Sequence, residues 1–261
     1  MKNIYRELFS VEGKTAVVTG GAKGIGAMIS EALLVAGAKV IVVSRSASKE
    51  VRENFGALGE VTFLNHDLLS SEGVNLAAKE ITSNSEDIHI LVNNAGAFSA
   101  SPISDTSEED WDEVMALNLR TSFFLAKGLL EKMKSSASQD DPARIINIGS
   151  IGALWGQSSG GAYAYGSSKA AIQHLTRMLA SDLTGQGVTV NAIAPGFFPS
   201  NMTDGFFEAV PGLKAQTIEA IPAGRLGTQQ DIGGAVLFLS SRAGAYVSGT
   251  TLPLEGALWQ K

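Results

Sequence analysis

The chain has 261 residues, of which 44% are hydrophobic and 18% charged, with a formal net charge of −6 and no cysteine. That balance suits a globular protein with a sizeable core, and it excludes disulfides, thiolate metal sites and cysteine nucleophiles. The acidic balance argues against nucleic acid as a partner, since affinity for phosphate backbones rests on clustered Lys and Arg.

His66, His89 and His174 are scattered without metal-ligand spacing, so no metal is expected. The opening MKNIYRELFSVEGK lacks the apolar core of a signal peptide, and no apolar run approaches a membrane span. A soluble, cytoplasmic protein with no membrane partner is the expectation.

Short β-branched runs then alternate with helical stretches. Thr15–Gly20 reads as a buried strand, with a helix over AMISEALLVAGA after it and a second strand at Lys39–Arg45. VTFLNHDL is the third strand and Ile88–Gly96 the fourth. The segment from Ser107 to Met133 reads as one long helix, with Ser107 as N-cap and an acidic first turn. Strands at Ala143–Ser150 and Val188–Gly196 flank a helix around Tyr165. A helix near Gln229–Ser241 and a strand near Gly249–Pro253 close the chain. Near-continuous apolar strands separated by helices predict a single α/β domain spanning 1–261, a doubly wound parallel sheet of the Rossmann type. The looser, proline-bearing stretch at about 197–227 is expected to act as a substrate lid.

The first strand–helix turn is TGGAKGIG, Thr19–Gly26. Gly20, Gly24 and Gly26, with Lys23 and Ile25 between them, allow a tight turn whose backbone N–H groups approach a pyrophosphate at a helix N-terminus. At the end of the second strand stand Ser44 and Arg45, with no acidic residue before Glu50. Arg45 and Lys23, without a carboxylate, favour the 2′-phosphate of NADP(H) over NAD.

Tyr165 and Lys169 stand one helical turn apart and share a face, whereas Tyr163 points elsewhere. Ser150 ends a strand at its carboxyl edge, where ligands bind in open α/β sheets, and its hydroxyl can polarise a carbonyl. Asn118 lies in an otherwise apolar helical run, an unfavourable place unless it has partners.

With TGGAKGIG, NNAG at Asn93–Gly96, Asn118 in ALNL, INIGS ending at Ser150, YGSSK at Tyr165–Lys169 and PG at Pro195–Gly196, the chain resembles the short-chain dehydrogenases/reductases over about Gly13 to Gly256. ARIINIGS, AYAYGSSKAA and APGFFPSNMT look most like the NADPH-dependent 3-oxoacyl-(acyl-carrier-protein) reductases, the rhamnolipid-biosynthesis type in particular.

The resemblance implies Tyr165 as acid/base, Lys169 lowering its pKa and holding the nicotinamide ribose, and Ser150 orienting the substrate. Asn118 is implied to hold a water that relays protons to Lys169. Asp67 and Leu68 are implied at the adenine. Asn94, Ala95 and Gly96 are placed in the cofactor cleft, where Asn93 either joins them or braces the sheet. Pro195, Gly196, Phe198 and Ser200 are expected near the nicotinamide and diphosphate.

The implied activity is reduction of a small-molecule carbonyl, a 3-oxoacyl thioester or related β-keto compound. The alternatives are a dehydrogenase of a sugar, polyol, steroid or other secondary alcohol, and a non-catalytic NADP(H)-binding regulator. A regulator could lose Tyr165, Lys169 or Ser150, and all three are present. Phe98, Trp155, Phe197, Phe198, Phe206 and Phe207 suggest a partly apolar pocket, with core packing as the alternative. A homotetramer or homodimer is implied. Two departures stand out. Trp155–Ala162 lengthens the stretch between Ser150 and Tyr165, and PLEGALWQ replaces the family's acidic-Gly-Gly close, which puts the tetrameric contacts in question.

Overall fold

The computed structural model describes residues 4–154, 160–208 and 210–258. A short helix α1 (Ile4–Leu8) precedes β1 (Thr15–Thr19), α2 (Gly24–Val35), β2 (Lys39–Ser44), α3 (Lys49–Leu58), β3 (Val61–Asn65), α4 (Ser71–Asn84) and β4 (Ile90–Asn93). Then come α5 (Glu108–Met115), α6 (Thr121–Ser135), β5 (Ala143–Ile148), α7 (Tyr163–Leu183) and β6 (Val188–Pro195). The chain continues through α8 (Asn201–Glu208), α9 (Leu213–Ala220), α10 (Gln229–Ser240) and β7 (Thr251–Leu254).

The seven strands form one parallel sheet in the order β3-β2-β1-β4-β5-β6-β7. Apolar side chains alternate across it. Val17 points to a core shared with Val74, Ala77 and Ile81 of α4, Leu125 and Leu129 of α6, and Leu183 of α7. Ala16 and Val18 point to the opposite core, shared with Ile29 and Leu33 of α2, Phe55 of α3, and Ile232 and Val236 of α10. A sheet buried on both faces has no use for polar alternation, which explains the continuous apolar runs. The chain winds outward from β1 through β2 to β3, then returns to start β4 on the other side of β1. Ligands bind in the crevice that this reversal opens at the carboxyl edge.

Helix starts follow local chemistry. Ser48, Ser70 and Ser107 accept the N–H of Val51, Gly73 and Asp110, and Thr228 forms a capping box with Asp231.

Several boundaries differ from the sequence expectations. The strands stop short of Gly20, Arg45, Leu68, Gly96, Ser150 and Gly196, because these residues turn out of the sheet to form its carboxyl-edge loops. The long helix from Ser107 is interrupted by a π turn, Ala116–Arg120, closed by the Thr121 N–H on the Ala116 carbonyl. The proposed lid region carries α8 and α9. Trp155, residues 155–159 of the lengthened stretch and the Phe206 side chain lie outside the described residues. No described helix is long and apolar enough to cross a membrane.

Candidate active site

The carboxyl ends of β1, β4, β5 and β6 enclose a cavity of about 370 Å³. Its floor begins at the glycine turn. Gly20 and Gly24 have φ of +63° and +54°, in the left-handed region that favours glycine. A Cβ on Gly26 would lie 2.3 Å from the Gly20 carbonyl oxygen, so only glycine fits there.

The N-terminus of α2 has no side-chain cap, unlike α3, α4, α5 and α10, so its first N–H groups are free to meet an anion. This uncapped cradle, free of carboxylates, fits the pyrophosphate of a dinucleotide. Thr19 latches the neighbouring loop: its hydroxyl accepts the N–H groups of Asn94 and Ala95, both at 3.0 Å. Asn94 donates to the Thr19 carbonyl at 2.9 Å.

Lys23, Ile25, Asn94, Ala95, Gly96, Pro195, Gly196, Phe198 and Ser200 line the same cavity. Asn93 does not. It is buried and donates to Asn147 Oδ1 at 2.9 Å, bracing β4 against β5. Phe198 contributes a wall, but its ring is in the core beneath Gly227, where a Cβ would meet it at 2.3 Å. Ser200 accepts the Thr203 N–H at 3.2 Å and sits against Gly24.

Ser44, Arg45, Asp67 and Leu68 lie beyond the cavity, after β2 and β3 on the same sheet edge. Ser44 donates to the Ser46 carbonyl at 3.1 Å, and Asp67 accepts the Leu69 N–H at 3.1 Å. Arg120 and Thr121 brace this loop through the carbonyls of Leu69 and Leu68. Lys23 and Arg45 are exposed, and neither is paired with a carboxylate among the described residues.

The reactive groups meet at the cavity's other end. Ser150 follows β5. Its hydroxyl accepts the Gly152 N–H at 3.0 Å, and its carbonyl accepts Gln173 Nε2 at 2.9 Å. Gln173 lies two helical turns beyond Tyr165 on the Lys169 face, a spacing present in the sequence but without a motif to mark it.

Tyr165 is half-buried. Burial pushes its phenol above the ordinary tyrosine value, and a hydrogen bond with Ser150 works the other way. Lys169 is buried and donates to the Ile148 carbonyl at 2.8 Å, with Nζ 5.7 Å from the Tyr165 ring centre. Burial lowers its pKa to about 8. In this geometry the ammonium is bound to a backbone carbonyl, and desolvation governs the tyrosine. A lowered Tyr165 pKa is the expectation for Lys169 acting together with an oxidised nicotinamide ring; with Lys169 held by the Ile148 carbonyl, desolvation sets the upward direction.

Asn118 sits in the π turn behind the cavity wall, only 2% exposed. Its Oδ1 accepts the Ala97 N–H at 2.8 Å, and its Nδ2 donates to the Ala97 carbonyl at 3.0 Å and to Ser168 Oγ at 2.9 Å. Both amide hydrogens are in use, so this side chain braces the loop after β4. Ser168 and Ala97, both missed from sequence, complete that brace. Tyr163 starts α7 and does not line the cavity.

Comparisons with known proteins give the chain's relatives. A family model described as enoyl-(acyl carrier protein) reductase matches residues 20–257. The rhamnolipids biosynthesis 3-oxoacyl-[acyl-carrier-protein] reductase of Pseudomonas aeruginosa is 39% identical over 250 residues, covering 95% of this chain and 97% of that protein. The 3-oxoacyl-[acyl-carrier-protein] reductase FabG of Escherichia coli is 34% identical over 95% of this chain and 98% of its own. Among solved structures, the RhlG/NADP active-site complex of Pseudomonas aeruginosa superposes with a TM-score of 0.91 at 38% identity, covering 97% of this chain and 99% of that one. A gluconate 5-dehydrogenase of Burkholderia cenocepacia in complex with NADP and tartrate gives 0.89 at 27% identity, covering 98% and 99%. With matches spanning nearly its whole length, the chain belongs to the short-chain dehydrogenase/reductase family.

Proposed function

We propose that the protein is an NADPH-dependent carbonyl reductase acting on a 3-oxoacyl thioester or related β-keto compound. The observation that carries the reading is the convergence of Ser150, Tyr165 and Lys169 at one end of a cavity whose other end is an uncapped glycine cradle. NADPH, when bound, supplies the hydride. The glycine turn and the α2 N-terminus would hold its pyrophosphate, while Lys23 and Arg45 would face its 2′-phosphate. Pro195 and Gly196 let backbone approach the nicotinamide.

Ser150 donates a hydrogen bond to the substrate carbonyl oxygen, which polarises the carbon and stabilises the developing oxyanion. Tyr165 gives its phenolic proton to that oxygen, leaving an alcohol. Lys169, released from the Ile148 carbonyl, is placed to favour the resulting phenolate and to contact the nicotinamide ribose. Asn118 acts as a positioning residue through Ala97 and Ser168.

The segment 197–227 serves as a lid, supported by Ser200 packing against Gly24 and by Phe197 stacked on Phe207 with ring centres 5.9 Å apart. Assembly as a homodimer or homotetramer is supported by Trp111, Phe124 and Met178 exposed on α5, α6 and α7. A cytoplasmic location fits the reductases that the chain resembles. A second reading, a sugar-acid dehydrogenase, is favoured by the gluconate 5-dehydrogenase among the structural neighbours.

The test is turnover with NADPH and NADH side by side, using β-keto thioesters, β-ketoesters, cyclic ketones and ketose acids. NADPH-preferring reduction of the β-keto compounds is expected. NADH preference, or turnover confined to ketose acids, contradicts the reading.

A further inference from the structure

Beyond the groups that carry the chemistry, one side chain touches the proton donor from the substrate side. Phe98 follows β4 in the loop that Asn118 braces. Its ring meets Tyr165 edge to face, with ring centres 5.1 Å apart and planes at 67°. It remains 42% exposed and lines the cavity. A large aromatic side chain left open at a cavity wall gains little from its own fold, and its exposed surface is available to a ligand.

The walls around it are apolar: Ile151, Ala162 and Phe197 stand on the same cavity. The only charged side chains among the described lining residues are Lys23 and Lys169, the first on the glycine turn and the second bound beneath Tyr165. Among the described lining residues no further cation stands near Phe98 to receive a sugar-acid carboxylate, and burying an unpaired carboxylate is costly.

We propose that Phe98 is the specificity-determining and positioning residue of this site. Its exposed surface receives an apolar substituent next to the reacting carbonyl, and its ring, packed on Tyr165, holds the Tyr165 ring away from water. The substrate class that follows is an aliphatic or aryl β-keto thioester, and ketose acids are disfavoured. The inference rests on the carbonyl reductase reading and names which member of that class the site accepts.

Tyr165 faces Lys169 from its own helix, Ser150 from the loop after β5 and Phe98 from the loop after β4. No carboxylate is among the described lining residues. Water admitted by loss of the Phe98 ring would favour the phenolate, so the alkaline fall of the reduction rate would move to lower pH.

The experiment measures kcat and KM separately, across pH, with NADPH and the N-acetylcysteamine thioesters of 3-oxobutanoate and 3-oxooctanoate, with 5-ketogluconate alongside. Wild-type protein, Phe98→Ala and Phe98→Tyr are compared. For Phe98→Ala, kcat/KM on the longer thioester is expected to fall about tenfold or more, with a smaller loss on the shorter one. Its alkaline limb should shift to lower pH, and the KM for NADPH should stay unchanged. Phe98→Tyr should restore chain-length preference and pH profile to within about twofold. Equal losses on both thioesters with an unchanged pH profile, or no loss at all, overturn the inference and leave the reductase reading standing. Preference of the wild type for 5-ketogluconate overturns the inference through its substrate class. Failure of the wild type to reduce any of the three compounds overturns the reductase reading and the inference with it.

Discussion

Lys169 keeps its charge in a site that burial makes unfavourable for it, and its pKa falls to about 8 in consequence. The unfolded chain, with a lysine pKa near ~10.4, binds more protons than the folded chain between those values. Stability therefore rises with pH from about 8 towards 10, and below 8 the site carries the whole penalty, on the order of 3 kcal/mol. Tyr165 works in the opposite sense: its raised value costs stability only above the unfolded value near ~10. Lys169→Met should therefore be relatively most stable at pH 7, with its advantage over wild type shrinking as pH approaches 10. Denaturation at several pH values, without added nucleotide, measures this. A gap independent of pH would show that burial does not strain the lysine.

A second residue-scale expectation concerns Lys23 and Arg45, two exposed cations at separate positions along the same edge. Replacing both with alanine should raise the KM for NADPH about tenfold or more and leave that for NADH nearly unchanged. Equal effects on the two nucleotides would remove the 2′-phosphate argument.

At the scale of elements, the stretch from Ser107 to Ser135 shows where sequence reading stops. Its cap and acidic first turn were legible, since Ser107 accepts the Asp110 N–H as expected. The π turn was not, because one extra residue within a turn leaves the apolar periodicity on both sides nearly unchanged. That turn is what aims Asn118 at the loop after β4. An asparagine amid apolar residues signalled a partner, but the partners, Ala97 and Ser168, are distant in sequence and could not be named. Asn118→Ala would leave the half-buried Ala97 N–H and carbonyl without this side-chain partner, and the buried Ser168 hydroxyl with only the Tyr165 carbonyl. A loss of about 2–4 kcal/mol in unfolding free energy is expected, read by urea denaturation. A change under about 0.5 kcal/mol would mean that the brace is dispensable.

For the molecule as a whole, the parallel sheet and its carboxyl-edge site were legible because each depends on local pattern: apolar strands, glycines at a turn, and a tyrosine–lysine pair one helical turn apart. The division of labour within the site was less legible. The nearness of Ser150 to Tyr165, Gln173 on the Ser150 carbonyl and the cavity wall at Phe98 arise where β4, β5 and α7 converge, and burial is the largest influence on the titration of Tyr165 and Lys169. Assembly is a property of the outer helix faces. Light scattering should give the mass of a dimer or tetramer, and a monomer at micromolar concentration would leave Trp111, Phe124 and Met178 without the cover proposed for them.

Everything proposed for the site turns on Tyr165 giving the proton to a carbonyl reduced there. That step is tested most directly by comparing Tyr165→Phe with wild type in NADPH-dependent reduction of a 3-oxoacyl thioester, with NADPH binding measured on the same samples. For Tyr165→Phe, kcat should fall by roughly 10² or more while NADPH affinity holds within a few-fold. Turnover of Tyr165→Phe near the wild-type rate, with NADPH bound, would contradict it.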